Sequence, residues 1–151
     1  KINPLALIAT DIIVGYLDES DQDFQDTYSF LEKSPIHKFH VFRFSARQNT
    51  VAFLQKKRLI EPTPLQKIIR AKTLSDLSLK KYQKYLLKQV GTTSHTLFIG
   101  EMKDGYQKAL LNNQIPLFVT TTKNLNGEMR TVEVTEYKKG DLFGRVFTPQ
   151  K

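Results

Sequence analysis

Residues 5–14 read LALIATDIIV, a nearly continuous run of residues that favour β-strands. Such a run is typical of a parallel strand that is covered on both faces. Gly15 ends the run, and Ser20 then begins an S-x-x-D pattern with Asp23 that is typical of a helix start. A second β-favouring run occupies residues 39–44. A strand, a helix and a second strand in this order predict a parallel βαβ unit.

Two strands are too few for a sheet that is buried on both faces, so we predict an α/β fragment that needs further chain to cover it. Lys1 is not an initiator methionine, and we expect the sequence to start inside a longer protein. The sequence shows no signal-peptide pattern and no apolar run long enough to span a bilayer. We therefore expect a cytoplasmic protein with no membrane partner.

The second half of the chain changes its pattern. Residues 65–90 have a helical composition, and four apolar residues recur there at gaps of three, four and four: Leu79, Tyr82, Leu86 and Val90. After residue 91, short β-favouring segments alternate with Asp-Gly and Asn-Gly turns, which predicts a small antiparallel β-barrel. We divide the chain into an α/β part at 1–64, a basic helical linker at 65–90 and the barrel at 91–151.

The net charge of +8 is concentrated in the middle of the chain. Residues 54–90 contain ten basic and two acidic side chains, whereas residues 1–53 contain five basic and seven acidic ones. A cationic segment of this kind is expected where RNA phosphates are contacted. The alternative is an ordinary solvated face of a lysine-rich helix.

The residue types exclude several kinds of chemistry. With no cysteine, the chain can form no disulfide and can hold no thiolate-bound zinc or iron–sulfur cluster. No P-loop, G-x-S-x-G or H-E-x-x-H motif occurs, so hydrolase and nucleotide triphosphatase functions lack support. We predict no catalytic and no metal-ligating residue in this chain.

Two blocks in the first half resemble the radical-SAM methylthiotransferase family. Residues 10–15, TDIIVG, with Glu19 and Phe24, resemble the family's D-x-I-V-G-F-P-G-E-T-x-x-x-F segment. Residues 39–47, FHVFRFSAR, with Thr50, are similar to its H-V-F-x-Y-S-x-R-x-G-T strand and loop.

A third block resembles the TRAM module that ends these enzymes. It consists of Asp104, Gly105, Tyr106, Asn113, Ile115, Pro116 and residues 142–144. The His-Val-Phe and Asp-Gly-Tyr sequences favour the branch that modifies threonylcarbamoyl-adenosine next to the tRNA anticodon. The resemblance implies that residues 1–64 end a radical-SAM barrel and that residues 91–151 form an OB-like, RNA-binding TRAM barrel.

The resemblance also implies an activity and partners for the intact enzyme. That enzyme would use S-adenosyl-L-methionine and two 4Fe-4S clusters to add a methylthio group to a modified adenosine. Its partners would be the tRNA anticodon stem-loop, the missing N-terminal cluster domain and the remainder of the radical-SAM barrel. Because the clusters need cysteines, we expect this chain alone to be inactive.

Site residues follow from the resemblance position by position. Those expected at the S-adenosyl-L-methionine pocket are Ile13, Gly15, Glu19, Ser45 and Arg47. The residue types of an RNA-binding surface are provided by Lys80, Lys81, Lys84, Lys88, Tyr106, Lys108, Arg130, Tyr137, Lys138 and Arg145. Phe118 lies inside an apolar strand, and we assign it to the core.

The sequence departs from the family where F-P-G-E is replaced by residues 16–19, Tyr-Leu-Asp-Glu. If the family's second glycine requires a positive φ, Asp18 incurs about 1 kcal/mol of strain. We therefore expect a weaker cofactor site. Asn49 stands in place of another family glycine, and this exchange is mild because asparagine tolerates the left-handed region.

Two alternatives remain open at this point. The chain could be a non-catalytic, basic RNA-binding module whose α/β part is only a scaffold. It could also belong to the related branch that methylthiolates a ribosomal protein.

Overall fold

The structure is a computed structural model that describes residues 4–148. Its elements are β1 (Ala9–Val14), α1 (Asp21–Lys33), β2 (Lys38–Arg43), α2 (Val51–Gln55), α3 (Pro64–Leu87), β3 (Thr93–Lys103), β4 (Tyr106–Leu111), β5 (Pro116–Thr120), β6 (Met129–Lys138) and β7 (Asp141–Val146). The chain divides into two compact units. We call residues 7–82 the α/β unit, and residues 83–151 with 1–6 the barrel unit.

In the α/β unit, β1 and β2 pair in parallel, with partners from Ala9 and Lys38 to Val14 and Arg43. The predicted helix start at Ser20 is confirmed. The Ser20 hydroxyl accepts a hydrogen bond from the Asp23 N–H, and the Asp23 carboxylate accepts one from the Ser20 N–H. Hydrogen bonds from the side chain and backbone of Ser20 hold the pKa of Asp23 below its usual value.

Only one face of the two-stranded sheet is covered. Five residues from β1, α1, β2 and α3 form the core on that face: Val14, Leu31, Phe39, Leu74 and Leu77. On the opposite face the paired residues Ile13 and Phe42 are 60% and 53% exposed. The predicted burial on both faces is therefore absent within the described part of the chain. In residues 4–148, β1 and β2 pair only with each other, so each keeps an open edge.

The predicted apolar stripe of α3 is only partly buried. Leu86 is buried and Tyr82 half-buried, but Leu79 and Val90 are exposed. The core of the α/β unit uses Leu74 and Leu77 of α3. The prediction is wrong at Leu79 and Val90 because the buried face also carries polar side chains, which a count of apolar residues ignores. Ser78 is one of these. Its hydroxyl accepts from the N–H of Phe39 and donates to the Phe39 carbonyl, both at 2.9 Å.

The predicted boundaries at 64 and 90 remain a prediction. What the structure adds is that α3 takes part in the core of the α/β unit and that the two compact units divide between Tyr82 and Gln83. None of the helices within residues 4–148 combines the length and apolar character that crossing a bilayer requires.

The barrel unit contains a small closed sheet with the strand order β3-β4-β5-β7-β6. Four of its pairings are antiparallel, but β5 and β7 run parallel. The prediction of a purely antiparallel barrel is wrong at this pair, because β7 folds back on β6 and lies between β6 and β5. Inward-facing residues alternate along the strands and include Phe98, Ala109, Leu117, Val119, Val132, Val134 and Leu142, all buried.

We expect Ser78→Ala to lower the free energy of unfolding of the α/β unit by about 1–3 kcal/mol, because it leaves a buried N–H and carbonyl of Phe39 without a partner. Urea unfolding followed by far-ultraviolet circular dichroism measures this. Ser75→Ala is the matched control, since Ser75 is an exposed residue of the same helix. Equal effects of the two substitutions would contradict the role of Ser78.

Candidate functional site

The first candidate site lies at the carboxyl ends of β1 and β2. Gly15 follows β1 with φ +76°, and a Cβ at this position would lie 2.4 Å from Cγ of Lys67. The Gly15 N–H donates to Oε2 of Glu19 at 2.6 Å. Glycine is therefore required here for two reasons: the left-handed backbone and the close approach of the Lys67 side chain.

A buried ion pair holds the loop that follows Gly15. Nη1 of Arg70 donates to Oε2 of Glu19 at 2.6 Å, and Nη2 donates to Asp21 at 2.7 Å. The side chains of Arg70 and Glu19 are only 5% and 13% exposed. Burial acts to lower the pKa of Arg70, but its bonds to Asp21 and Glu19 outweigh this and raise it. The predicted cofactor residue Glu19 is thus engaged within the chain.

Lys67 links the end of β2 to the segment before α3. Its Nζ donates to the Phe44 carbonyl at 3.0 Å and forms an ion pair with Glu61. Lys56 also pairs with Glu61, at 2.6 Å. Hydrogen bonds from Lys56 and then Lys67 lower the pKa of Glu61. Glu61 and Lys67 border an open pocket of about 570 Å³ whose lining includes Phe42 and Ser45.

The departure from the family loop has a structural explanation. Asp18 does have a positive φ, of 60°, as its place in the loop predicted. Its N–H donates to the Ile60 carbonyl at 2.7 Å, and its Oδ1 accepts from the Ile60 N–H at 2.6 Å. The side chain therefore supplies a bond that glycine could not make. Asn49 also has a positive φ, of 65°, as expected.

The predicted cofactor residues lie at or next to the carboxyl ends of β1 and β2. Gly15 and Glu19 bond to each other, and Ile13 lies on the open face of the sheet. Ser45 lines the pocket beyond β2, and Arg47 is exposed.

Sequence reasoning missed three residues that organise this site: Glu61, Lys67 and Arg70. The available signal was that Lys67 and Arg70 precede Leu74 and Leu77 at gaps of three or four on one helix face. Composition instead indicated solvated lysines and arginines.

The predicted RNA-binding lysines of α3 and the segment after it differ in availability. Lys80, Lys84 and Lys88 are exposed. The prediction that Lys81 binds RNA needs correction, because its ammonium group is already engaged within the chain. Its Nζ donates to the carbonyls of Leu31, Glu32 and Ser34 at the end of α1, because these last carbonyls of the helix lack partners within it.

In the barrel unit, Tyr106 and Lys108 line a pocket of about 330 Å³ together with Phe118 and Phe143. The assignment of Phe118 to the core is wrong. Its neighbours Leu117 and Val119 are buried, so the strand alternation directs Phe118 to the outer face, where it is half-buried.

The other predicted residues of the barrel unit do not line this pocket. Arg130 forms an ion pair with Glu128, and Arg145 with Glu133 at 2.9 Å. Tyr137 and Lys138 lie at the end of β6.

Iron–sulfur clusters do not fit this chain. It has no cysteine, and within residues 4–148 no group of three or more His, Asp or Glu side chains is placed to hold a metal ion.

The fold and these sites define a two-part protein: an α/β unit with an open sheet face, and a small β-barrel with basic and aromatic residues on its surface. No protein-family profile matches the chain. It is 39% identical to the threonylcarbamoyladenosine tRNA methylthiotransferase MtaB of Aquifex aeolicus over 65% of this chain and 23% of that protein.

Two further relatives cover more of the chain. The threonylcarbamoyladenosine tRNA methylthiotransferase MtaB of Chlamydia pneumoniae is 32% identical over 89% of this chain and 32% of its own length. The ribosomal protein uS12 methylthiotransferase RimO of Alkaliphilus oremlandii is 28% identical over 98% of this chain and 35% of its own length. The chain belongs to the radical-SAM methylthiotransferase family, and it spans about a quarter to a third of these relatives.

We expect Gly15→Ala to destabilise the α/β unit by about 2 kcal/mol or more, since left-handed strain of about 1 kcal/mol adds to the clash with Lys67. Urea unfolding measures it. In a Lys67→Ala background the cost falls to the strain alone. Gly91→Ala is the matched control, because Gly91 has φ +84° and no atom within 4 Å of the added Cβ. An equal cost with and without Lys67 would refute the steric argument.

Substitutions of Asp18 separate its hydrogen bond from its strain. We expect the stability order wild type and Asp18→Asn, then Asp18→Gly, then Asp18→Ala. Asparagine keeps both an acceptor and the tolerance of positive φ. Glycine loses the bond to the carboxylate, worth about 1.5–3 kcal/mol, but relieves about 1 kcal/mol of strain, and alanine loses the bond while keeping the strain. Thermal unfolding of the four proteins gives the order. A glycine variant more stable than the wild type would contradict this order, because it would show that the bond to Ile60 contributes less than the strain at Asp18.

Proposed function

We propose that this chain is the C-terminal portion of a radical-SAM tRNA methylthiotransferase. In this proposal the α/β unit supplies part of the S-adenosyl-L-methionine pocket, and the barrel unit is a TRAM module that binds tRNA. The observation that carries the proposal is the open apolar face of β1 and β2, where Ile13 and Phe42 are exposed side by side. Parallel strands of an α/β sheet are ordinarily covered on both faces, so this face supports an incomplete barrel.

The residues at the strand ends are compatible with S-adenosyl-L-methionine. Ile13 offers an apolar surface for the adenine, and Ser45 and Arg47 offer polar groups that suit a carboxylate. Gly15 and Glu19, also proposed at this pocket, fix its loop through Lys67 and Arg70. When bound, S-adenosyl-L-methionine supplies the radical and the methyl group of the family's chemistry.

The remaining parts of the activity belong to chain outside this sequence. The two 4Fe-4S clusters require cysteines, so we propose that an N-terminal cluster domain and the remaining strands of the radical-SAM barrel provide them. Alone, the chain described here is expected to be catalytically inactive. The proposed location of the intact enzyme is the cytoplasm, where its tRNA substrate is found.

The proposed substrate is the threonylcarbamoyl-adenosine next to the anticodon. It is supported by the two relatives named for that nucleoside, which are 39% and 32% identical to this chain. The proposed contacts to the anticodon stem-loop are made by exposed basic residues: Lys80, Lys84, Lys88, Lys108 and Lys138.

The second candidate is methylthiolation of a ribosomal protein. It is supported by the similarity to the uS12 methylthiotransferase, which extends over 98% of this chain. In that case the barrel unit would contact protein. The two candidates differ in whether anticodon stem-loop RNA binds.

We expect the chain to bind an anticodon stem-loop RNA with an affinity that falls steeply as salt rises, because phosphate contacts release counterions. Replacing Lys80, Lys84 and Lys88 by alanine should lower the slope of log affinity against log salt by about two to three. Fluorescence anisotropy at several salt concentrations measures it.

A triple alanine variant of Lys33, Lys57 and Lys123 is the matched control for this experiment. These lysines are also exposed, and their loss changes the net charge equally. A slope that changes equally in both triple variants would show that only net charge matters. No binding at low salt would exclude the tRNA function and favour the ribosomal-protein branch.

A further inference from the structure

Three aromatic side chains lie together on the outer face of the barrel unit. We call Tyr106, Phe118 and Phe143 the aromatic platform. The ring centroids of Phe118 and Phe143 are 5.8 Å apart, and those of Tyr106 and Phe143 are 5.7 Å apart. The three rings come from β4, β5 and β7, so three neighbouring strands of the closed sheet hold them in place.

The strand register explains why these rings meet. Phe118 pairs with Lys108 on one side and with Phe143 on the other, which sets three side chains in one row across the sheet. Tyr106 precedes Lys108 by two residues and therefore projects from the same face. The residues that alternate with these, Leu117 and Leu142, are buried inside the barrel. The platform is thus fixed by the fold.

Lysines flank the platform. Lys103 is the register partner of Tyr106, and Lys108 is the partner of Phe118. Both lysines line the pocket of about 330 Å³ above the rings, and so do Glu101 and Asp104. Two ammonium groups and two carboxylates leave this pocket with no excess charge. Stacking on the rings should therefore contribute more to ligand binding in this pocket than net charge does.

We propose that the aromatic platform binds an unpaired nucleobase of RNA. A base has a flat π face that stacks on aromatic rings, and Lys103 and Lys108 are placed at the rim to meet the adjoining phosphates. The carboxylates of Glu101 and Asp104 can accept hydrogen bonds from the amino and ring N–H groups of a base. The flat base and the phosphates beside it together match the rings and the two lysines, which favours RNA as the partner. This inference rests on the proposed RNA-binding function and specifies where a base is held.

The experiment uses the complete chain and two probes: a uridine oligonucleotide of about eight nucleotides and an abasic oligonucleotide of equal length and charge. The wild type should bind the uridine probe about tenfold more tightly, because only that probe can stack. Phe118→Leu and Phe143→Leu should abolish this preference while leaving the salt dependence unchanged. Phe147→Leu, which alters an exposed phenylalanine of the same unit outside the platform, should retain the preference.

A second measurement does not depend on the variants. In the wild type labelled at phenylalanine, the ring protons of Phe118 and Phe143 should shift upfield when the uridine probe is added, but not when the abasic probe is added. Circular dichroism verifies that each variant keeps its fold.

The outcomes separate this inference from the proposed function. Equal binding of the two probes to the wild type, or a preference that survives in both platform variants, overturns the platform and leaves RNA binding intact. Binding of neither probe at low salt overturns RNA binding and the platform with it. A proline-rich peptide that binds the wild type and is lost in Phe143→Leu, while RNA binding is unchanged, would assign the platform to a protein ligand.

Discussion

The α/β unit depends on one face of helix α3, which satisfies backbone and side-chain polar groups that a two-stranded sheet and one crossover helix leave without partners. Four side chains of that face do this: Lys67, Arg70, Ser78 and Lys81. They reach the end of β2, the loop after β1, the outer edge of β2 and the last carbonyls of α1. Buried polar groups without partners are costly, so the packing of Leu74 and Leu77 requires these bonds as well.

The same helix face shapes the proposed cofactor site. Because Lys67 lies against Gly15 and Arg70 holds Glu19, the loop at the carboxyl end of β1 is positioned from behind by the protein itself. This arrangement makes the loop less dependent on the stiffening proline and second glycine of the family sequence. The bonds between Asp18 and Ile60 close it from the other side. The front of the sheet, with Ile13, remains open.

Local sequence signals predicted the elements well, and long-range polar contacts escaped them. The apolar run before Gly15 and the cap at Ser20 gave β1 and α1, since both signals act between near neighbours. The apolar run before Gly15 did not reveal that Ile13 is exposed, because the pattern of a strand does not show whether another element packs on each of its faces. Phe118 was misjudged because an apolar strand of five residues does not reveal which of its two faces is outside. Lys81 was predicted to bind RNA, because its partners lie 47 to 50 positions away and leave no local signal.

The position of β7 also governs how the barrel unit is assembled. This strand lies between β5 and β6 in the closed sheet, and its parallel pairing with β5 joins residues that are separated by the whole of β6. During synthesis, the edge of β5 that later pairs with β7 therefore has no partner strand until β7 has left the ribosome. The five core residues of the α/β unit all precede residue 83, so they are available to pack before the strands of the barrel are complete. If translation pauses before β7 is made, the nascent chain presents an unpaired strand edge. Such an edge can pair with other chains and lead to aggregation.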